Sequence, residues 1–181
     1  MGVLQQIRER AASLGKTIVL PEGEEQRIID AASMITKEGI ARVILLGDPA
    51  TIAAKASNTD LTGVEVLDYL HSDKMESYVN TFTELRKKKG MTREKADGMT
   101  AGSVNATGDV LRPALQIIKT APGISVVSSC FVMEMPDTKY GDQGVLVFGD
   151  CGVNPDPTAE QLAAIAVSTA RSAKTIAGVE P

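Results

Sequence analysis

Residues Gly98 to Asp109, GMTAGSVNATGD, are almost all small and polar, and an arginine follows at Arg112. A loop of this kind lets backbone N–H groups approach an anion, and a helix opening behind it adds about half a unit of positive charge. Arg112, in the first turn of that helix, would complete the site with a bidentate contact worth ~1.5–3 kcal/mol. The same composition fits a flexible connector with a solvated arginine, since Gly-rich loops before helices are common. No Gly-Lys-Ser/Thr ends the loop, so it is not a Walker loop. A second group is basic. Arg86, Lys87, Lys88, Lys89, Arg93 and Lys95 place six of the chain's 19 basic residues within ten positions. A solvated helix end favoured by the macrodipole accounts for most such runs; the functional reading turns one member, Arg86, inward toward the anion.

Other groups are weaker candidates. Glu22 and Asp150 stand at the ends of strands, where parallel sheets bind ligands. Glu22 equally suits a cap on the helix that starts near Glu24, and Asp150 carries the same ambiguity. His71, between a strand and a helix, reads as a surface residue. Cys130 and Cys151 lack an adjacent base, and a single histidine cannot complete a metal site with them. They read as reduced, buried thiols.

The elements that must position these groups alternate between two periodicities. Helical spacing runs over Val3 to Leu14, Glu24 to Glu38, a short segment from Pro49, Asp73 to about Lys89, and Arg112 to about Thr120. Thr158 with Gln161 forms a capping box ahead of the last helix. Apolar runs at Thr17–Pro21, Val43–Gly47, Val64–Leu70, Ser125–Met135 and Val145–Asp150 read as strands. Strands without a polar face, joined by helices, predict an α/β fold: a doubly wound, mostly parallel sheet sandwiched by helices.

With 181 residues, 43% of them hydrophobic and 23% charged, the chain has an ordinary globular composition and can bury a core. No apolar run reaches the ~18 residues of a membrane span, and the N-terminus lacks a secretory signal, so the cytoplasm is the expected location. A net charge of −4, 3% aromatics and no tryptophan argue against nucleic-acid binding.

Four stretches are more specific: KTIVLPEGEEQR (16–27), ELRKKKGMT (84–92), VLRPALQIIKTAPG (110–123) and NPDPTAEQL (154–162). In this order, and over almost the whole chain, the sequence resembles the phosphate acetyltransferase family, which includes the phosphate butyryltransferases. The resemblance implies two α/β domains, here 1–121 for the first and 122–181 for an incomplete second α/β domain, with a site in the cleft between them, a homodimer, and reversible acetyl transfer between coenzyme A and inorganic phosphate. Acetyl-CoA, phosphate and acetyl phosphate are then the partners, with coenzyme A a substrate and no cofactor permanently bound. Arg86 and Arg112 correspond to two arginines of that cleft. With Ser103 and Thr107 they form the expected substrate-binding set.

The departures from the family pattern are informative. The family's base aspartate, and the serine and arginine that assist the carbonyl, lie in a returning segment with no counterpart here, so no catalytic residue is expected. A helix-length segment is missing between Ala96 and Asp97. Asn105 stands where many relatives place a histidine, and Ala101 where many place a serine. The expectation is an inactive, aggregation-prone partial acyltransferase. The alternative is a noncatalytic domain that binds acetyl-CoA or phosphate, or that dimerises.

Overall fold

The computed structural model describes residues 2–72, 77 and 98–181. The chain divides into two compact units, one of residues 10–118 and one of residues 119–181 with the first nine. Helix α1 (Val3–Leu14) opens the chain and ends at Gly15, whose φ of +58° suits glycine.

In the unit of residues 10–118, TIVL and RVILL form β1 (Thr17–Leu20) and β2 (Arg42–Leu46). Between them lies α2 (Gln26–Lys37); α3 (Pro49–Lys55) follows β2. The third and fourth strands are β3 (Glu65–Leu67) and β4 (Gly98–Met99). All pair in parallel, in the order β3-β2-β1-β4. The third strand is shorter than its apolar run suggests. Asp68 Oδ1 accepts the Leu70 and His71 backbone N–H groups at 3.0 and 3.2 Å, and this turn takes the chain out of the sheet.

The helical stripe of α2 delivers Ile29 and Ala32 to a fully buried cluster with Leu20, Val43, Leu45 and Ile52. Strand β2 alternates: Val43 and Leu45 are sealed in that cluster, whereas Ile44 and Leu46 on its other face are half-buried. Asp48 caps α3, accepting the Thr51 N–H at 2.8 Å, and Pro49 takes the first helical position. Apart from Ser77, the helix expected at Asp73–Lys89, and Arg86 with it, lies outside the described residues.

The other unit holds β5 (Cys130–Glu134) and β6 (Val145–Gly149), paired antiparallel with Phe131 opposite Phe148 and Met133 opposite Leu146. The long buried strand expected over Ser125–Met135 is therefore corrected to five residues with one open face. Paired residues share a face of a hairpin. Gly149 meets Thr169 of α5 (Ala159–Ser172), which covers the side of Cys130, Val132 and Val147. The opposite side leaves Phe131 at 61%, Phe148 at 53% and Met133 at 44% exposure. Cys130 and Cys151 are half-buried, not buried as expected, because one lies in a two-layer hairpin and the other in the turn after it.

Helix α5 starts with the expected box. The Gln161 N–H reaches Thr158 Oγ1 at 3.3 Å, and the Thr158 N–H reaches Gln161 Oε1 at 2.8 Å. Among the described residues no helix is long and apolar enough to cross a membrane.

Adjacent exposed aromatics on a strand pair whose outer edges have no strand partner among the described residues promote association. A Phe131→Ser, Phe148→Ser double variant is expected to shift sedimentation toward monomer and to lower binding of an apolar dye. Unchanged association would place the sticky surface elsewhere.

Candidate anion site

From β1 the sheet grows toward β2 and β3 on one side and toward β4 on the other, so the strand order reverses between β1 and β4. The crevice outside the carboxyl ends at such a reversal is where open α/β sheets bind ligands. Glu22 leaves β1 there, and the loop of residues 100–106 leaves β4.

The two segments are fastened together. Glu22 Oε2 accepts the N–H groups of Gly102 and Ser103 at 3.2 and 2.7 Å. Its Oε1 accepts those of Val104 and Asn105 at 3.2 and 2.9 Å, and Asn105 Nδ2 at 2.7 Å. Gly102, at φ +103°, lets the backbone turn its N–H groups inward. From α2, Arg27 Nη2 donates to the Ser103 carbonyl at 3.0 Å while its Nε donates to Glu25 Oε1 at 2.6 Å. Loop residues 102–105 are thus held through their donors by a carboxylate and through an acceptor by a guanidinium.

The small-residue loop does cradle an anion through its backbone, but the anion is the chain's own Glu22. This corrects the expectation that those N–H groups face an external phosphate. It also corrects the capping role offered for Glu22. The N-cap of α2 is Glu25, which makes no side-chain cap bond. The Asn105 N–H above all, then its side-chain amide and the N–H groups of Ser103 and Val104, outweigh desolvation and hold the Glu22 carboxyl down to about 2.

A carboxylate whose folded pKa lies below its unfolded value of 4.5 stabilises fully above that value. The contribution is lost as pH falls toward 2. Backbone amides 102–105 are therefore expected to stay protected from hydrogen exchange down to about pH 3 and to lose protection below it. Loss already at pH 5 would contradict the geometry.

Helix α4 (Thr107–Ile117) begins five residues earlier than expected, so Arg112 stands in its second turn and not its first. The early start follows from Ala106, extended at φ −64° and ψ 150°, whose carbonyl already accepts the Asp109 N–H at 2.9 Å. Thr107 and Arg112 are exposed, and Ser103 is half-buried. Thr107 and Arg112 are separated by about 140° around the helix axis. The Cα–Cβ bonds of a helix tilt toward its N-terminus, so Arg112 leans back toward the loop.

An open cavity of about 370 Å³ lies beside the loop, lined among others by Glu22, Gly23, Lys55, Tyr69 and Asn105. Lys55 Nζ donates to the Glu24 carbonyl at 2.6 Å. A Cβ on Gly23 would stand 2.6 Å from the Leu46 carbonyl oxygen, so this wall requires glycine.

Asp150, the other strand-end carboxylate, is structural. It accepts the Ser129 N–H and hydroxyl, the N–H groups of Gly152, Val153 and Asn154, and Asn154 Nδ2. Burial pushes its carboxyl up, but bonds from Ser129, Asn154 and Gly152 prevail and hold it far below the ordinary range. His71 is exposed and pairs through Nδ1 with Asp68 Oδ2 at 2.7 Å. Sequence reasoning missed Arg27. Its only local signal is Glu25, two residues before it.

A parallel sheet with a crevice at the reversal of its strand order, one wall of it a loop bound by a carboxylate, defines an α/β unit of the doubly wound kind. The sequence matches the family described as Phosphate acetyl/butaryl transferase over residues 2–97 and 92–181, and the chain belongs to that family. It is 46% identical over 201 aligned positions to a phosphate acetyltransferase of Thermoanaerobacterium thermosaccharolyticum, covering all of this chain and 61% of the relative. Against that of Acetivibrio thermocellus it is 48% identical and covers 60% of the relative. A phosphotransacetylase from Streptococcus pyogenes superposes with a TM-score of 0.86 at 32% identity, over 99% of this chain and 59% of that one. One from Staphylococcus aureus gives 0.82 at 34%, over 99% and 58%. The chain thus spans about 60% of the length of the curated relatives it matches. Its 181 residues align over 201 positions, so within the aligned span alone 20 positions of the first relative have no counterpart.

Proposed function

We propose that this chain carries the phosphate-holding part of an acyltransferase site that moves an acetyl group between coenzyme A and inorganic phosphate. A phosphate oxygen attacks the thioester carbonyl, the C–S bond breaks, the proton given up by hydrogen phosphate passes to the sulfur so that coenzyme A leaves as the thiol, and acetyl phosphate forms. The guanidinium groups of Arg86 and Arg112 hold the phosphate and balance charge on the attacked carbonyl, and the hydroxyls of Ser103 and Thr107 donate to it. Coenzyme A acts as substrate, with no resident cofactor, and the assembled enzyme is a cytoplasmic homodimer. We place a missing segment at the Ala96–Asp97 junction, and two things support it: the two family matches overlap there, over 92–97, and the alignment with the first relative is 20 positions longer than the chain. No residue of this chain is assigned as base, and the chain alone binds phosphate without turnover. The observation that supports the reading best is a fastened loop at the sheet's reversal point, leading into the helix of Arg112, in a chain 46% identical to a phosphate acetyltransferase.

Calorimetric titration tests it. Inorganic phosphate and acetyl phosphate should bind saturably, and Arg112→Ala should weaken both by about 2 kcal/mol, roughly 30-fold. Arg86→Ala should match it, with Lys88→Ala near neutral. Equal losses from all three would mean a diffuse basic patch, and coenzyme A release in the presence of phosphate would show that the chain completes the reaction itself.

A further inference from the structure

Glu22 and Arg27 both come from the short stretch between β1 and the first turn of α2, yet both bind a loop about 80 residues away. Every loop N–H from Gly102 to Asn105 is already committed to Glu22. The loop backbone is therefore spent on shape, and its hydroxyl groups and the helix behind it remain for a ligand.

We propose that Glu22 and Arg27 are positioning residues: a carboxylate–guanidinium clamp that sets loop 102–105 so that Ser103 and the helix carrying Arg112 present to one anion. The inference rests on the phosphate-binding reading above. Each half of the clamp engages a different polarity of the same peptide segment, so neither replaces the other. Asn105 contributes twice, through its backbone and its side-chain amide. A residue here without a short donor loses one of the five bonds that the carboxylate accepts.

Simple electrostatics makes the opposite forecast for one variant, which makes the idea decidable. Glu22 is an anion beside an anion site, so neutralising it should tighten phosphate if the side chain acts only through its charge. Glu22→Gln turns an amide donor toward N–H donors, so the clamp opens and the loop loses its set.

The experiment measures inorganic phosphate affinity by calorimetry and amide exchange of residues 102–105 by NMR, for the unaltered chain, Glu22→Gln and the exposed Arg27→Ala. The expected result is weaker phosphate binding by about tenfold in each variant, with faster exchange confined to the loop and protection of β1 and β2 unchanged. Tighter binding in Glu22→Gln, or loop exchange unchanged in both variants, overturns the proposal. If the unaltered chain binds no phosphate, the functional reading fails while the exchange data still judge the clamp. Should Glu22→Gln not fold, Arg27→Ala decides, because that side chain is 71% exposed.

Discussion

Asp150→Ala is expected to lower stability by about 3 kcal/mol, because it strands donors that now converge on one ionised carboxylate. Hydrogen bonds to a charged group contribute ~1.5–3 kcal/mol each, but water recovers part of that once the carboxylate is gone. Ser129, Cys151 and Asn154 would lose their common fixing point. The Cys151 N–H rests at 3.0 Å on the Ser129 hydroxyl, which itself is held by Asp150. Calorimetry should record a melting temperature lower by roughly 6–12 °C. Asp150→Asn keeps an acceptor but introduces a donor and should fall between the two. A loss under about 1 kcal/mol would mean that water already satisfies these donors.

Leu45→Ala should cost about 3 kcal/mol, within the range for a leucine removed from a sealed core. Leu45 is 0% exposed and packs with Leu20, Ile29, Val43 and Ile52. Its Cβ also lies 3.2 Å from the point a Gly23 Cβ would occupy, so the cavity would open under the wall of the crevice. Urea unfolding should show a lower midpoint with an unchanged slope. Leu46→Ala, on the half-buried face of the same strand, should cost clearly less. Equal costs would mean that the two faces of β2 are equally packed.

Local chemistry made much of this fold legible. The box at Thr158–Gln161 and the Asp48-Pro49 start act within four residues, and both stand in the structure. The apolar strands without a polar face gave parallel pairing correctly for β1 to β3, whereas β4 lies in Gly98–Met99, at the start of the stretch read as a loop. Reading failed where partners are distant. Nothing near Glu22 in sequence names Gly102 to Asn105, so a helix cap looked equally good. The start of α4 was misplaced because Thr107-Gly-Asp has turn composition, yet extended Ala106 lets the helix begin there. The Ser125–Met135 run was apolar enough for a buried strand, but its second face has no described element on it, and only Cys130–Glu134 pairs. The anion loop was recognised from its small residues; that its backbone is already occupied could be learned only from coordinates.

Phosphate-binding geometry around Ser103, Thr107 and Arg112 is most directly tested by adding inorganic phosphate to the isotopically labelled chain and following its amide resonances. The account predicts that signals from 103–112 move together to a plateau, while those of the hairpin at 130–149 stay still. Absence of saturable movement in 103–112, or equal movement in the hairpin, would contradict it.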